Sequence, residues 1–133
     1  MTIDELTEKV IGCAYRVHNE LGPGFLEKVY ENALRIELEE SGLGVKQQHP
    51  ISVVYHGKAV GDFFTDLLVE DRLIVELKGV LNLSKEHEVQ LVNYLTATGI
   101  DDGLLINFGS ARAQVKRKFR EYKKRQNGQD KQA

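Results

Sequence analysis

Phe64–Lys78, F-T-D-L-L-V-E-D-R-L-I-V-E-L-K, is the stretch whose reading decides the fold. Phe64–Val69 and Leu73–Val80 are rich in Val, Ile, Leu and Phe and flank the charged cluster Glu70-Asp71-Arg72, the pattern of a β-hairpin. Side chains on a strand alternate between faces. The odd positions Leu67, Val69, Leu73, Val75 and Leu77 are aliphatic and suit a core, whereas the even positions include Asp66, Glu76 and Lys78. One face is expected to be core and the other to carry charge. A loop of Glu70–Arg72 pairs Val69 with Leu73 and sets Asp66 opposite Glu76, with Cβ atoms about 4.5–5.5 Å apart. A shorter or longer loop shifts the pairing and puts the acids on opposite faces.

Two carboxylates that close repel unless protonated or bridged by a cation, and Mg²⁺ takes oxygen ligands at about 2.0–2.1 Å. Lys78, on the same face, suits an anionic substrate or the orientation of a water. The same residues also fit an exposed hairpin face bearing a structural Glu-Lys pair. Beyond the hairpin, Ser84 is a good N-cap for a helix over Lys85–Thr98, with Gly99 as its left-handed C-terminal residue. Gln90 and Tyr94, four apart, share a face of that helix and can point together toward the acids. A solvated Gln90 and a core Tyr94 are the alternative.

Asp66, Glu76-x-Lys78 and Gln90-x-x-x-Tyr94, in this order, resemble the PD-(D/E)XK nuclease superfamily, the Gln/Tyr pair resembling the branch of bacterial recombination-type nuclease domains. Gly24-x-x-Glu27-x-x-Tyr30, with the preceding Val17–Pro23 and the strand Leu104–Gly109, is similar to the small bacterial GxxExxY proteins, a likeness running from about Ile11 to Phe119. The resemblance implies an α/β (α+β), restriction-endonuclease-like core with a central mixed sheet flanked by helices in α-β-β-β-α-β order, preceded by an extra N-terminal helix. It also implies a Mg²⁺- or Mn²⁺-dependent nuclease acting through a metal-activated water, with Glu27, Asp66 and Glu76 as metal ligands, Lys78 beside the water, and Gln90 and Tyr94 as a second wall. Glu27 read by itself sits at the edge of the stripe Leu26, Val29, Tyr30, Ala33 and Leu34, on a helix spanning about Phe25 to Glu40, and also suits a solvated first-turn glutamate. Phe64 departs from the pattern, which carries Arg there, and so removes a candidate phosphate contact.

Composition agrees with one domain: 133 residues, 41% hydrophobic, can bury a single core. The expected division is a nuclease-like domain over 1–125 and a disordered tail over 126–133. The one cysteine excludes an internal disulfide, and Cys13, in the apolar stripe of a first helix opened by Thr2-x-x-Glu5, reads as buried and inert. The sequence offers neither an apolar run of about 20 residues nor a signal-peptide hydrophobic region, which points to the cytoplasm. His18, His49, His56 and His87 lack zinc-ligand spacing, and packing or capping suits His18 and His87. Val45–Tyr55 and Lys58–Val69 read as strands joined at His56-Gly57, with Pro50 marking an edge or a bulge.

Charge is uneven: residues 1–111 hold nine Lys/Arg against eighteen Asp/Glu, whereas residues 112–133 hold nine against two. The basic end, Arg112, Lys116-Arg117-Lys118-Phe119-Arg120 and Lys123-Lys124-Arg125, fits either phosphate attraction or a solvated terminus. Gln114–Phe119 is expected to form a last edge strand before a short helix. Nucleic acid, with DNA favoured, is the expected partner, and a homodimer or a subunit of a larger complex suits so small a domain. The competing class is a nuclease-fold binding or assembly protein with little turnover.

Overall fold

A computed structural model describes residues 1–120; the expected domain end at 125, the short helix after the last strand, Lys123-Lys124-Arg125 and the tail 126–133 lie outside the described residues. Thr2 opens α1 (Ile3–Leu21) with a capping box, its hydroxyl accepting from the Glu5 N–H while the Glu5 carboxylate accepts from the Thr2 N–H. Leu6, Val10, Cys13, Ala14 and Val17 form the buried stripe of this helix, Cys13 among them as expected. Next comes α2 (Glu27–Glu40). It starts two residues beyond the expected Phe25, because Gly22 and Gly24 at positive φ and an extended Leu26 hold the chain outside a helix. Leu26 is accordingly 81% exposed and Val29 faces solvent, so of the expected apolar stripe Tyr30 and Leu34 are buried and Ala33 packs partly against the core, while Leu38 and the polar Glu31 complete the buried face.

The hairpin β1 (Val45–Tyr55) and β2 (Lys58–Val69) turns at His56-Gly57, both at positive φ as a tight two-residue turn requires. Pro50 lies in the edge strand, where its missing N–H is harmless, and the register break falls at Val53/Val54. β3 (Leu73–Lys78) pairs antiparallel with β2 in the expected register: Val69 opposite Leu73, Leu68 opposite Ile74, Leu67 opposite Val75. The helix α3 (Lys85–Thr98) then crosses to β4 (Asp102–Asn107), parallel to β3, and β5 (Gln114–Phe119) returns antiparallel as the edge strand expected there. Ser84 caps α3, with the His87 ring nitrogen accepting from the Ser84 N–H, and Gly99 at φ 75° ends it. The result is a five-stranded mixed sheet ordered β1-β2-β3-β4-β5, flanked by helices.

Both sheet faces are buried. α1 and α2 cover the odd face, where Leu67, Val69, Val75, Leu77, Leu104 and Ile106 meet their apolar stripes. α3 covers the even face through Leu91 and Leu95 on Leu68, Ile74 and Leu105. The expectation of one core face and one charged face is thereby corrected: a parallel β3–β4 pair needs a crossover helix, and that helix desolvates the face carrying Asp66, Glu76 and Lys78. Each fully buried Leu or Ile contributes about 1.5–3 kcal/mol, so the smaller cluster under α3 matters to stability as well as to placement. Among the described residues, no helix is long and apolar enough to cross a membrane.

Past β3 the chain is clamped by Asn107, fully buried, whose amide accepts from the Val80 N–H and donates to the Val80 carbonyl at 2.9 and 2.7 Å. Gly109 packs against the same segment so closely that a Cβ would lie 2.4 Å from the Val80 nitrogen and oxygen. Gly109→Ala is expected to cost about 1–3 kcal/mol or more through this backbone clash. Gly12→Ala, in α1 with its nearest side-chain neighbour 3.9 Å away, is expected to gain up to about 1 kcal/mol from helix propensity. Urea unfolding of both variants beside the wild type checks the pair; equal effects would contradict the clash.

Candidate active site

The hairpin turn fixes where the acids stand. Glu70 and Asp71 both adopt positive φ, the Arg72 N–H bonds the Val69 carbonyl at 3.0 Å, and Lys46 holds Asp71 in an ion pair of 2.7 Å. That turn sets Val69 opposite Leu73, and two-residue alternation then brings Asp66 and Glu76 toward each other on the α3 face. The paired residues stop at Leu67 and Val75. Beyond them the Asp66 carboxylate accepts from the Leu77 N–H at 2.8 Å, taking the place of a strand carbonyl where the two strands part.

Glu76 is 6% exposed, and its Oε1 is buried without a hydrogen-bond partner, as is the nearby Thr65 hydroxyl. Burial first, and then the negative charge of Asp66, raise the Glu76 carboxyl from an ordinary 4.5 to about 9. Lys78, on the same face, pulls the other way. An orphaned carboxylate oxygen beside a second carboxylate is a donor set that fits a hard divalent cation, which takes oxygen ligands and removes the repulsion.

The other expected residues divide. Tyr94 is partly buried, and its phenol is pushed above its usual range by burial and then by the charges of Glu76 and Asp66, which places it in their field. Gln90, one turn earlier, is exposed and lines the groove beside α3 together with Tyr94. Glu27 is exposed at the first position of α2, and its carboxylate accepts from the Gly79 N–H at 3.1 Å. Among the described residues, no group of three or more His, Cys, Asp or Glu side chains is disposed to hold a metal.

Two residues that sequence reasoning passed over join the acids. Glu31, 4% exposed, accepts from Lys28 Nζ and from the amides of Gln47 and Gln48. The Gln48 amide also donates to Asp66 Oδ1 at 3.3 Å, so one side chain spans α2 and β2. Gln48 has φ 53° within a strand, a conformation costing a non-glycine residue about 1–3 kcal/mol and held by these bonds. A signal for Glu31 was available: it lies three and seven residues before Leu34 and Leu38, on a face whose other members are apolar. Nothing in the sequence marks the backbone of Gln48.

Three cations of the basic end have partners within the chain. Arg117 pairs with Asp4 and Asp102, Lys118 with Glu88, and Arg120 with Asp101, so these cations serve internal ion pairs.

Set beside known proteins, residues 4–118 match the family model of the PD-(D/E)XK nuclease superfamily. The crystal structure of SSO0001 is similar at 15% identity and a TM-score of 0.57, over 70% of this chain and 49% of that one. At that identity the likeness is one of fold, and the chain spans about half the length of that protein. No curated protein matches the chain.

Two outcomes test the site's electrostatics. Because the folded-state pKa of Glu76 is raised, its stabilising contribution is complete below about pH 4.5 and is lost as pH rises toward 9. In EDTA, the unfolding free energy of the wild type relative to Glu76→Gln is therefore expected to fall across that window; a constant difference would contradict the burial of an uncompensated carboxyl. Gln48→Leu is expected to cost about 1–3 kcal/mol in urea unfolding, since it leaves Glu31 and Asp66 short of a donor.

Proposed function

The chain belongs to the PD-(D/E)XK nuclease superfamily, and from that premise we propose that it is a metal-dependent hydrolase of phosphodiester bonds in nucleic acid, with DNA the favoured substrate. The observation that carries the reading is the unpartnered Glu76 oxygen beside Asp66, with Lys78 on the same face of the sheet. A structural Glu-Lys hairpin gains nothing from burying a carboxylate it leaves unpaired, whereas a cation site requires one.

Asp66 and Glu76 are the proposed ligands of Mg²⁺ or Mn²⁺, and Glu27, held on Gly79 beside the end of the same strand, is an outer acid of the site. A bound divalent cation would supply the positive charge that lets both carboxylates ionise and that offsets charge gathering on the scissile phosphate. Lys78 donates to the attacking water or to a phosphate oxygen and aligns the two. Tyr94, kept protonated by its surroundings, donates to the substrate, and Gln90 contacts it from the groove. Gln48 positions Asp66 without touching substrate.

The narrower resemblance to the GxxExxY proteins belongs to this proposal. Its support is the work of the motif tyrosine: the Tyr30 hydroxyl donates to the Gly22 carbonyl and accepts from the Phe25 N–H, tying the turn that presents Glu27. One observation favours the second reading, a nuclease-fold binding or assembly protein, possessing little turnover and acting as a homodimer or subunit: Val54, Tyr55, Val60, Phe63 and Phe64 are exposed and give it an apolar surface to dock on.

Cleavage of labelled single- and double-stranded DNA and RNA with Mg²⁺ or Mn²⁺ separates the two. Wild-type cleavage that needs metal and drops at least about 100-fold in both Glu76→Gln and Lys78→Ala, each folded by circular dichroism, is expected from removing a charge used in the transition state. Calorimetric Mn²⁺ binding that vanishes in Asp66→Asn and Glu76→Gln is expected alongside. Absence of cleavage in every form, or cleavage equal in all three, would favour the binding protein.

A further inference from the structure

The far end of the β1–β2 hairpin projects past the core and carries exposed Val54, Tyr55, Val60, Phe63 and Phe64. Between it and α3 runs an open groove of about 940 Å³, near the upper end of the roughly 300–1,000 Å³ of ligand sites. Val53, Val60 and Phe63 line one wall, and Val89, Tyr94 and Ala97 the other. Phe63, 43% exposed, lies 5.8 Å from the Tyr94 ring, centroid to centroid. A clustered apolar surface of this kind marks a binding site more often than a free face.

We propose that this groove binds the unpaired bases of single-stranded DNA and leads the strand to Asp66 and Glu76. The inference rests on the nuclease reading and adds the form of the substrate. Two observations select the occupant. Tyr94 lines the groove, and its ring neighbour Phe63 stands three residues before Asp66 on β2, so a chain lying in the groove runs along the strand that carries the acid. Residues 1–120 hold fourteen Lys/Arg against eighteen Asp/Glu, and Arg117, Lys118 and Arg120 are paired with acids of the chain. Duplex binding draws its affinity mostly from phosphate neutralisation, for which this surface is poorly supplied. Base stacking on aromatic side chains, worth about 1–3 kcal/mol per base, adds to phosphate contacts an affinity that a duplex cannot use, because it requires unpaired bases. Lys85, in the groove lining, offers a cation for the backbone. The aliphatic side chains Val54, Val60 and Val89 suit the thymine C5-methyl group, which uracil lacks, and so favour oligo-dT over oligo-rU.

The test is fluorescence anisotropy of the full chain in EDTA, so that nothing is cut, with labelled oligo-dT, a duplex of equal length and oligo-rU. Oligo-dT is expected to bind most tightly, and Phe63→Ala to weaken it about tenfold or more. Val89→Glu, a substitution at an exposed helix position that introduces negative charge, is expected to weaken it similarly even where Phe63→Ala unfolds the hairpin. Equal or tighter binding of the duplex or of oligo-rU, or unchanged oligo-dT binding by folded Phe63→Ala and Val89→Glu, would overturn the proposal. So would a dimer in sedimentation equilibrium that Val89→Glu splits, since a second copy would then fill the groove. Metal-dependent cleavage without single-strand preference removes the groove proposal and leaves the nuclease reading; oligo-dT binding without cleavage by any form does the reverse.

Discussion

Val69 stands opposite Leu73 because Glu70 and Asp71 both turn through positive φ, and that one register determines what each side of the sheet carries. A slip of one residue would send Leu67, Val69 and Val75 out of the core and separate Asp66 from Glu76. Lys46 bound to Asp71, and Glu70 accepting from the Gly44 N–H, brace the turn from β1 and the loop before it. The core and the acid pair thus share a cause. The apolar side of the hairpin selects the register for burial, and the acids on the other side are brought together as a consequence.

Burial under α3 then turns a surface pair of carboxylates into a chemical site. In water such a pair would lose little by sitting adjacent, since solvent screens it. Beneath a crossover helix, with Leu91 and Leu95 seated on Leu68, Ile74 and Leu105, Glu76 cannot be ionised cheaply next to Asp66. The polar bridge Glu31–Gln48–Asp66 holds Asp66 from the opposite layer, so the geometry is supported by α2 as well as by the sheet. The strained backbone of Gln48 is consistent with that role, because a regular strand residue would keep its side chain to one face.

The distribution of charge sets the remaining constraint on a partner. A chain whose residues 1–120 hold fourteen Lys/Arg against eighteen Asp/Glu, with Arg117, Lys118 and Arg120 paired to Asp4, Asp101, Asp102 and Glu88, does not present the basic stripe of a protein that coats duplex DNA. Its uncommitted surface is apolar and aromatic, along the hairpin arm and α3. Phe64 belongs to that surface and stands where the resemblance led one to look for Arg, so the position offers apolar area in place of a cation.

Much of this was legible in the chain itself. Alternation over Phe64–Lys78, the caps at Thr2 and Ser84, Gly99 and the turn at His56-Gly57 act over a few residues, and for that reason the strands, α1, α3 and the β2–β3 register follow from them. Asp66, Glu76 and Lys78 on one face follow from the same parity. Tertiary structure alone decided that this face is buried, that α2 leaves Glu27 on Gly79 and turns Glu31 inward, and that Gln48 bridges the layers. Those outcomes depend on how helices far apart in sequence rotate and pack against the sheet, and local periodicity carries no record of that rotation.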